Sequence, residues 1–283
     1  MSRKVTSREY KIMLRKDLFG DNKQELLKAS KEFWHTFSQA IAHISIDVNG
    51  ELNEIADQRI IRFYDTDDYL LYRNSYILRE RQDVNNDEKE VTLKFRHPDR
   101  YISQDRDMKV VDIDRGETKF EEDIKTPFGV LYSFSSTQKL LTNEKLDEIQ
   151  DAAQLYPDLV DKISTLKGED KIRTIGIDIR EIVVKGARFQ IRNNPQIYSK
   201  CALIVWYENN QKQEKPLAVE FSFKYGDENE EYTRKMAQRA YDVFQILQEK
   251  LIDWVDLNSD TKTAYIYKLD RLNNCKFSHL GED

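Results

Sequence analysis

The chain has 283 residues, 39% hydrophobic, 34% charged and 11% aromatic, with a formal net charge of −6 at pH 7. That aromatic content excludes a disordered chain, and the net acidity excludes capture of nucleic acid by a global basic field. No apolar run is long enough for a membrane helix, and the polar start shows no secretory signal. The expectation is therefore a cytoplasmic protein with neither nucleic acid nor membrane as partner. Cys201 and Cys275 lack CxxC spacing, so a disulfide framework and a thiolate metal site are not expected. His35, His43, His97 and His279 are scattered and read as surface or packing residues.

In chain order, "SREYKIML" (7–14) reads as a strand with Ser7, Glu9 and Lys11 on one face and Tyr10, Ile12 and Leu14 on the other. A helix is predicted over 22–47 from Leu26, Leu27, Phe33, Trp34, Phe37, Ile41 and Ile44, with Asp21 or Asn22 as its cap. "QRIIRFYDT", "YILRERQD", "KEVTLKFRH" and "TKFEEDI" read as short strands between turn-rich stretches. Residues 137–166 read as helical. Strands resume with "KIRTIGIDI", "EIVVKGARFQI", "CALIVWYEN" and "LAVEFSFKY", followed by a long amphipathic helix over 228–255. "KTAYIYKL" (262–269) reads as a strand-like tail. With no linker and no repeat, one α+β domain of about eight strands is expected.

Several strands carry charges two residues apart, hence on one face. Arg79 and Arg81 do so, as do Lys94 and Arg96 and the trio Lys119, Glu121 and Asp123, while Glu220, Ser222 and Lys224 and likewise Arg188, Gln190 and Arg192 keep the spacing with a neutral polar residue between the charges. Half-buried antiparallel strands with solvated outer faces would give the same alternation. The sorting is the informative part: some strands offer bases alone, while others pair acid with base. If amphipathic helices cover the apolar faces and the strands close into a barrel, the charged faces line its lumen. Such a lumen suits a polyanion, with Arg giving bidentate contacts, Lys point charges, and carboxylates holding Mg²⁺ or Mn²⁺.

"RFYDTDDYLLYRNSYILRERQD", "VTLKFRHPD" and "KFEEDI" resemble the CYTH superfamily, the triphosphate tunnel metalloenzymes. Its hallmarks align in order with "SREYK", Tyr64-Asp65-Thr66, Leu78-Arg79-Glu80-Arg81, Thr92-Leu93-Lys94, Lys119 to Asp123, and Glu220-Phe221-Ser222. The resemblance implies an eight-stranded antiparallel tunnel with helices packed outside. It spans residues 1–275, with a helical insertion near 137–166 and a short tail over 276–283. By position it implies that Lys11, Arg62, Arg79, Arg81, Lys94, Arg96, Lys119, Arg188 and Lys224 grip a triphosphate. Glu9, Glu121, Asp123 and Glu220 would then be the ligands of Mg²⁺ or Mn²⁺. The implied activity is metal-dependent hydrolysis of inorganic triphosphate or a nucleoside triphosphate.

The sequence departs from that pattern at Ser7 and Ser222, where the family has acids, and "ALIVWY" lacks an Asp often found there. These neutral positions keep open a non-catalytic polyphosphate- or nucleotide-binding module, and a class IV-type adenylate cyclase stays open because the tunnel residues do not separate cyclisation from hydrolysis. A homodimer through Phe33, Trp34 and Phe37 is an alternative to their use in the core.

Overall fold

The computed structural model describes residues 3–20, 22–44, 47–86, 88–106, 108–209 and 215–278, with side chains described as far as Asn274. Cys275 and His279 lie beyond the described side chains, and Asp21, one of the two candidate caps, is outside the described residues. In chain order the elements are β1 (Ser7–Leu14), α1 (Lys23–Ile41), β2 (Val48–Asn49), β3 (Glu54–Asp65), α2 (Leu70–Arg73), β4 (Tyr76–Asp83) and β5 (Glu88–His97). There follow α3 (Arg100–Gln104), β6 (Gly116–Lys125), β7 (Gly129–Leu141), α4 (Ile149–Leu155), α5 (Leu159–Lys162), β8 (Arg173–Lys185) and β9 (Arg188–Arg192). The chain ends with β10 (Ile197–Glu208), β11 (Ala218–Gly226), α6 (Arg234–Lys250) and α7 (Lys262–Ser278).

The strands hydrogen-bond in the order β11-β1-β6-β7-β5-β4-β3-β8-β10-β9-β2, and β11 also pairs with β10. That last pairing closes nine of them into a mixed barrel, with β9 and β2 continuing from β10. The expectation of eight antiparallel strands is corrected on both points. Residues 129–141 form β7, so the segment expected to begin a helix at 137 instead completes a strand. β1 runs antiparallel to β11 but parallel to β6, which is allowed because no short hairpin joins β1 to β6.

The chain divides into two compact units. Unit 1 comprises 1–58, 120–132 and 180–259; unit 2 comprises 59–119, 133–179 and 260–283. In unit 1, Asn22 caps α1 by accepting from the N–H groups of Gln24 and Glu25, both at 3.0 Å. Leu26, Phe33, Phe37 and Ile41 of α1 are buried, a spacing that gives one apolar stripe. They share a core with Tyr10, Ile12, Phe189, Leu203, Phe221 and Phe223 of the sheet and with Met236, Ala240, Val243, Phe244 and Leu247 of α6. Ring centroids lie 4.9 Å apart for Phe33–Phe221, 4.8 Å for Tyr10–Phe223 and 5.2 Å for Tyr10–Phe244. Pairs of this kind contribute about 0.5–1.5 kcal/mol each beyond area burial. Phe33, Trp34 and Phe37 are buried in this core.

In unit 2, α7 replaces the expected strand-like tail. Lys262, Ile266, Tyr267 and Asp270 are its buried positions, a helical spacing that the alternating tyrosines conceal. Tyr267 stacks on Tyr72 at 4.1 Å, meets Phe63 edge-on at 6.4 Å, and donates to the Asp65 carboxylate at 3.2 Å. Asp65 also accepts from the backbone N–H groups of Thr66, Leu71 and Tyr72. Asp270 receives Arg173, the Gly176 N–H and the Tyr69 hydroxyl at 2.8–3.1 Å. Gly176 has φ +73°, and a Cβ there would sit 2.8 Å from Ile266 of α7. A residue without a side chain is therefore needed where β8 passes the helix.

Candidate functional site

The polar face of unit 1 is set by strand register. Antiparallel pairing puts Glu9 across from Lys224, Lys11 across from Ser222 and Met13 across from Glu220. Parallel pairing puts Ser7 beside Glu121, Glu9 beside Asp123 and Lys11 beside Lys125. β10 extends the same face, with Lys200 opposite Lys224 on one side and opposite Arg188 on the other. Paired residues share a face. The face therefore carries Ser7, Glu9, Lys11, Glu121, Asp123, Arg188, Glu220, Ser222 and Lys224, all on the side turned away from α1 and α6.

The side chains are arranged as lysine–carboxylate groups. The Lys11 ammonium lies 3.0 Å from Glu9 Oε2 and 2.9 Å from Asp123 Oδ1, so two carboxylates converge on one positive charge. Glu121 is held by Lys224 and accepts from the Ser7 hydroxyl at 2.7 Å. Burial alone would pull the Lys224 ammonium down, but Glu121 and Glu9 more than offset it and its pKa lies above the usual lysine value. Ser7, Glu121, Asp123, Glu220 and Ser222 are all buried. Ser7 thus acts as a neutral donor to Glu121 and not as a further acid. Glu220 lies between Met13 and Ile204 in the ladder, a more apolar neighbourhood than that of Glu9. Arg188 is exposed and its guanidinium sits 4.3 Å over the Tyr198 ring.

Among the described residues, no three His, Cys, Asp or Glu side chains are grouped to hold a metal ion by themselves. The pair Glu9 and Asp123 still suits a hard cation, because Mg²⁺ is usually held by one or two carboxylates together with substrate phosphates. The Lys11 ammonium marks the position where their oxygens already meet a cation.

Unit 2 has a different polar face. Arg79 pairs across from Thr92 and Phe63, Arg81 across from Glu90 and Ile61, and Lys94 across from Ile77. Arg79, Arg81, Lys94 and Arg96 therefore share one half-buried basic face, on which Thr92 and Thr137 hydroxyls meet at 2.9 Å. Glu90, opposite Arg81, is an acid on that face that sequence reasoning passed over; its position two residues from Thr92 was the available signal. Arg62 is not brought to this group. It lies on the opposite strand face, across from Glu80, where it reaches Glu80 at 2.9 Å and Asp178 at 2.8 Å. Glu80 is 3% exposed and also receives Lys89, 5% exposed, at 2.8 Å and the Tyr64 hydroxyl at 3.3 Å. Lys119 pairs with Glu117 at 2.7 Å near the surface. The lysines Lys125 and Lys200 on the face of unit 1 were also passed over; their alternation with core residues was legible once the partner strands were known.

Among the described residues, no helix is long and apolar enough to cross a membrane. No family model matches this sequence, and no curated protein matches it. Solved structures with similar strand arrangements do exist. A Hippeastrum protein assigned as an adenylyl cyclase, and described as having a dominant triphosphatase activity, is 12% identical at a TM-score of 0.43, with 92% of this chain and 95% of that one covered. A Bacillus halodurans protein assigned as an adenylate cyclase is 15% identical at 0.40, covering 94% and 100%. The Schizosaccharomyces pombe Mediator head module is similar at 6% identity and 0.35, covering 89% and 97%. At such identities and TM-scores the likenesses carry no chemical inference.

Proposed function

We propose that this protein is a divalent-metal-dependent hydrolase of a triphosphate-containing small molecule, inorganic triphosphate or a nucleoside triphosphate. The observation that carries the reading is the convergence of Glu9 and Asp123 on one cationic position, with Lys11 and Lys224 on the same face. In the reaction a water oxygen bonds to the terminal phosphorus while the bridging P–O bond breaks. Orthophosphate and the shortened diphosphate leave, and the water proton passes to solvent. Lys11 and Lys224 bind phosphate oxygens as point charges. Glu9 and Asp123 would hold Mg²⁺ or Mn²⁺, with Glu121 and Glu220 as the further acids of that face. A bound ion would supply charge neutralisation of the phosphate oxygens and a more acidic water.

The test is incubation of the purified full chain with inorganic triphosphate, ATP or thiamine triphosphate, each with Mg²⁺ or Mn²⁺. Orthophosphate release that a chelator abolishes is expected. Cyclic AMP with diphosphate would instead assign a cyclase, and neither product at any metal concentration overturns the enzyme reading. Ser7 and Ser222, buried hydroxyls at acidic family positions, favour one second reading, a polyphosphate-binding module. Thermal stabilisation by triphosphate without turnover would establish it.

A further inference from the structure

Lys11 holds a position that the proposed chemistry assigns to a metal. Its ammonium is the shared partner of Glu9 and Asp123, while Lys224 and the Ser7 hydroxyl hold Glu121. With Ser at position 7, the acids nearest these lysines are offset within the protein's own sheet. Glu9 and Asp123 are buried or nearly so, with side-chain exposures of 18% and 8%, so their attraction to Lys11 is less screened than that of a surface pair. A divalent ion arriving alone must displace an ammonium held by both carboxylates. A polyphosphate laid on the same face changes that balance, because its oxygens offer Lys11 and Lys224 a competing, more highly charged partner.

We propose that Lys11 is an internal counter-ion that keeps the Glu9–Asp123 position closed to metal until a polyphosphate draws it away. This rests on the functional reading above and deepens it. The consequence is heterotropic coupling: polyphosphate raises the affinity for metal, and metal raises the affinity for polyphosphate by the same factor. The device resides in unit 1 alone, in the register of β1 with β6 and β11.

The test uses the full chain and Mn²⁺, whose binding is read by calorimetry or by water-proton relaxation. A non-hydrolysable imido analogue of triphosphate serves as the polyanion, with comparisons made at equal free Mn²⁺. Wild type should bind Mn²⁺ weakly alone and about 5- to 150-fold more tightly with the analogue, the usual span of coupled sites. Lys11→Gln should bind Mn²⁺ at least about fivefold more tightly than wild type without the analogue, and should gain little from its addition. Lys11→Arg, which keeps the charge, should retain wild-type behaviour. Equal Mn²⁺ affinity of wild type with and without analogue overturns the proposal, and so does unchanged or weaker Mn²⁺ binding by a folded Lys11→Gln. The wild-type comparison stands even if that variant does not fold. Turnover without coupling would refute this device and leave the hydrolase reading intact; tighter Mn²⁺ binding by Lys11→Gln in a protein that releases no phosphate would do the reverse.

Discussion

The two units treat charge on their strands in opposite ways. Unit 1 mixes both signs on one polar face: Glu9 and Asp123 sit on Lys11, and Glu121 on Lys224, all turned away from the aromatic core. Unit 2 separates the signs across the thickness of its sheet. Arg79, Arg81, Lys94 and Arg96 take one face, while Glu80 is buried on the other with Arg62 and Lys89. The mixed face is partly hydrated, with the Lys11 and Lys224 side chains 21% and 39% exposed, and its pairs can be exchanged for other partners. The Glu80–Lys89 pair is sealed, at 3% and 5% exposure, and cannot. Similar residue types thus act as an exchangeable site in one region and as a fastening in the other.

The largest test of this contrast is Glu80→Gln. Losing the carboxylate leaves the buried Lys89 short of its ion-pair partner in a dry environment, at a cost of about 3–5 kcal/mol in chemical denaturation. The matching change in unit 1, Glu121→Gln, should cost only roughly 1 kcal/mol, because Lys224 can turn to water. Equal costs would break the distinction.

A smaller, pH-dependent effect sharpens it. Burial pushes Asp270 upward, but Arg173, the Gly176 N–H and Tyr69 outweigh it and hold the carboxyl below its ordinary range. A depressed carboxyl stabilises the fold above the ordinary value, near ~3.9, and that contribution is lost as pH falls through the folded value. The stability gap between wild type and Asp270→Asn, read from urea midpoints, should therefore narrow as pH falls from 6 toward 3. Asp65 has the opposite sign: burial outweighs its hydrogen bonds and its carboxyl is raised, so its contribution is largest at low pH and declines as pH rises. A gap that stays constant would mean that Asp270 does not anchor α7 as an ion.

Much of this was legible in the sequence. The alternation in "SREYKIML", "YILRERQD" and "LAVEFSFKY" located β1, β4 and β11 and put Glu9, Lys11, Arg79, Arg81 and Lys224 on polar faces. The failures have local causes. The two strands expected over 171–179 and 181–191 are one long strand, β8, ending near Gly186 at φ +114°, followed by the short β9. β7 was hidden because Ser133, Ser135 and Ser136 weaken its apolar alternation, while Leu140 and Leu141 begin an apparent helical stripe. α7 was hidden because Tyr265, Ile266 and Tyr267 favour strands by propensity, and packing on Phe63 and Tyr72 overrides it. Arg62 was misplaced because a single strand shows alternation but not which face holds the site; only pairing with Glu80 decides that.

The placement of β1 also has a consequence for biosynthesis. It leaves the ribosome ahead of its two neighbours, β6 and β11, the latter beginning at Ala218. At ordinary translation rates β1 waits roughly 10–40 s for that partner, exposing two unpaired edges. Glu9 and Lys11, read so far as groups that meet a ligand, also make that waiting strand a poor template for pairing with other chains, since charged side chains on an open edge discourage it. The same pair of residues can therefore guard the nascent protein before the barrel exists to be used.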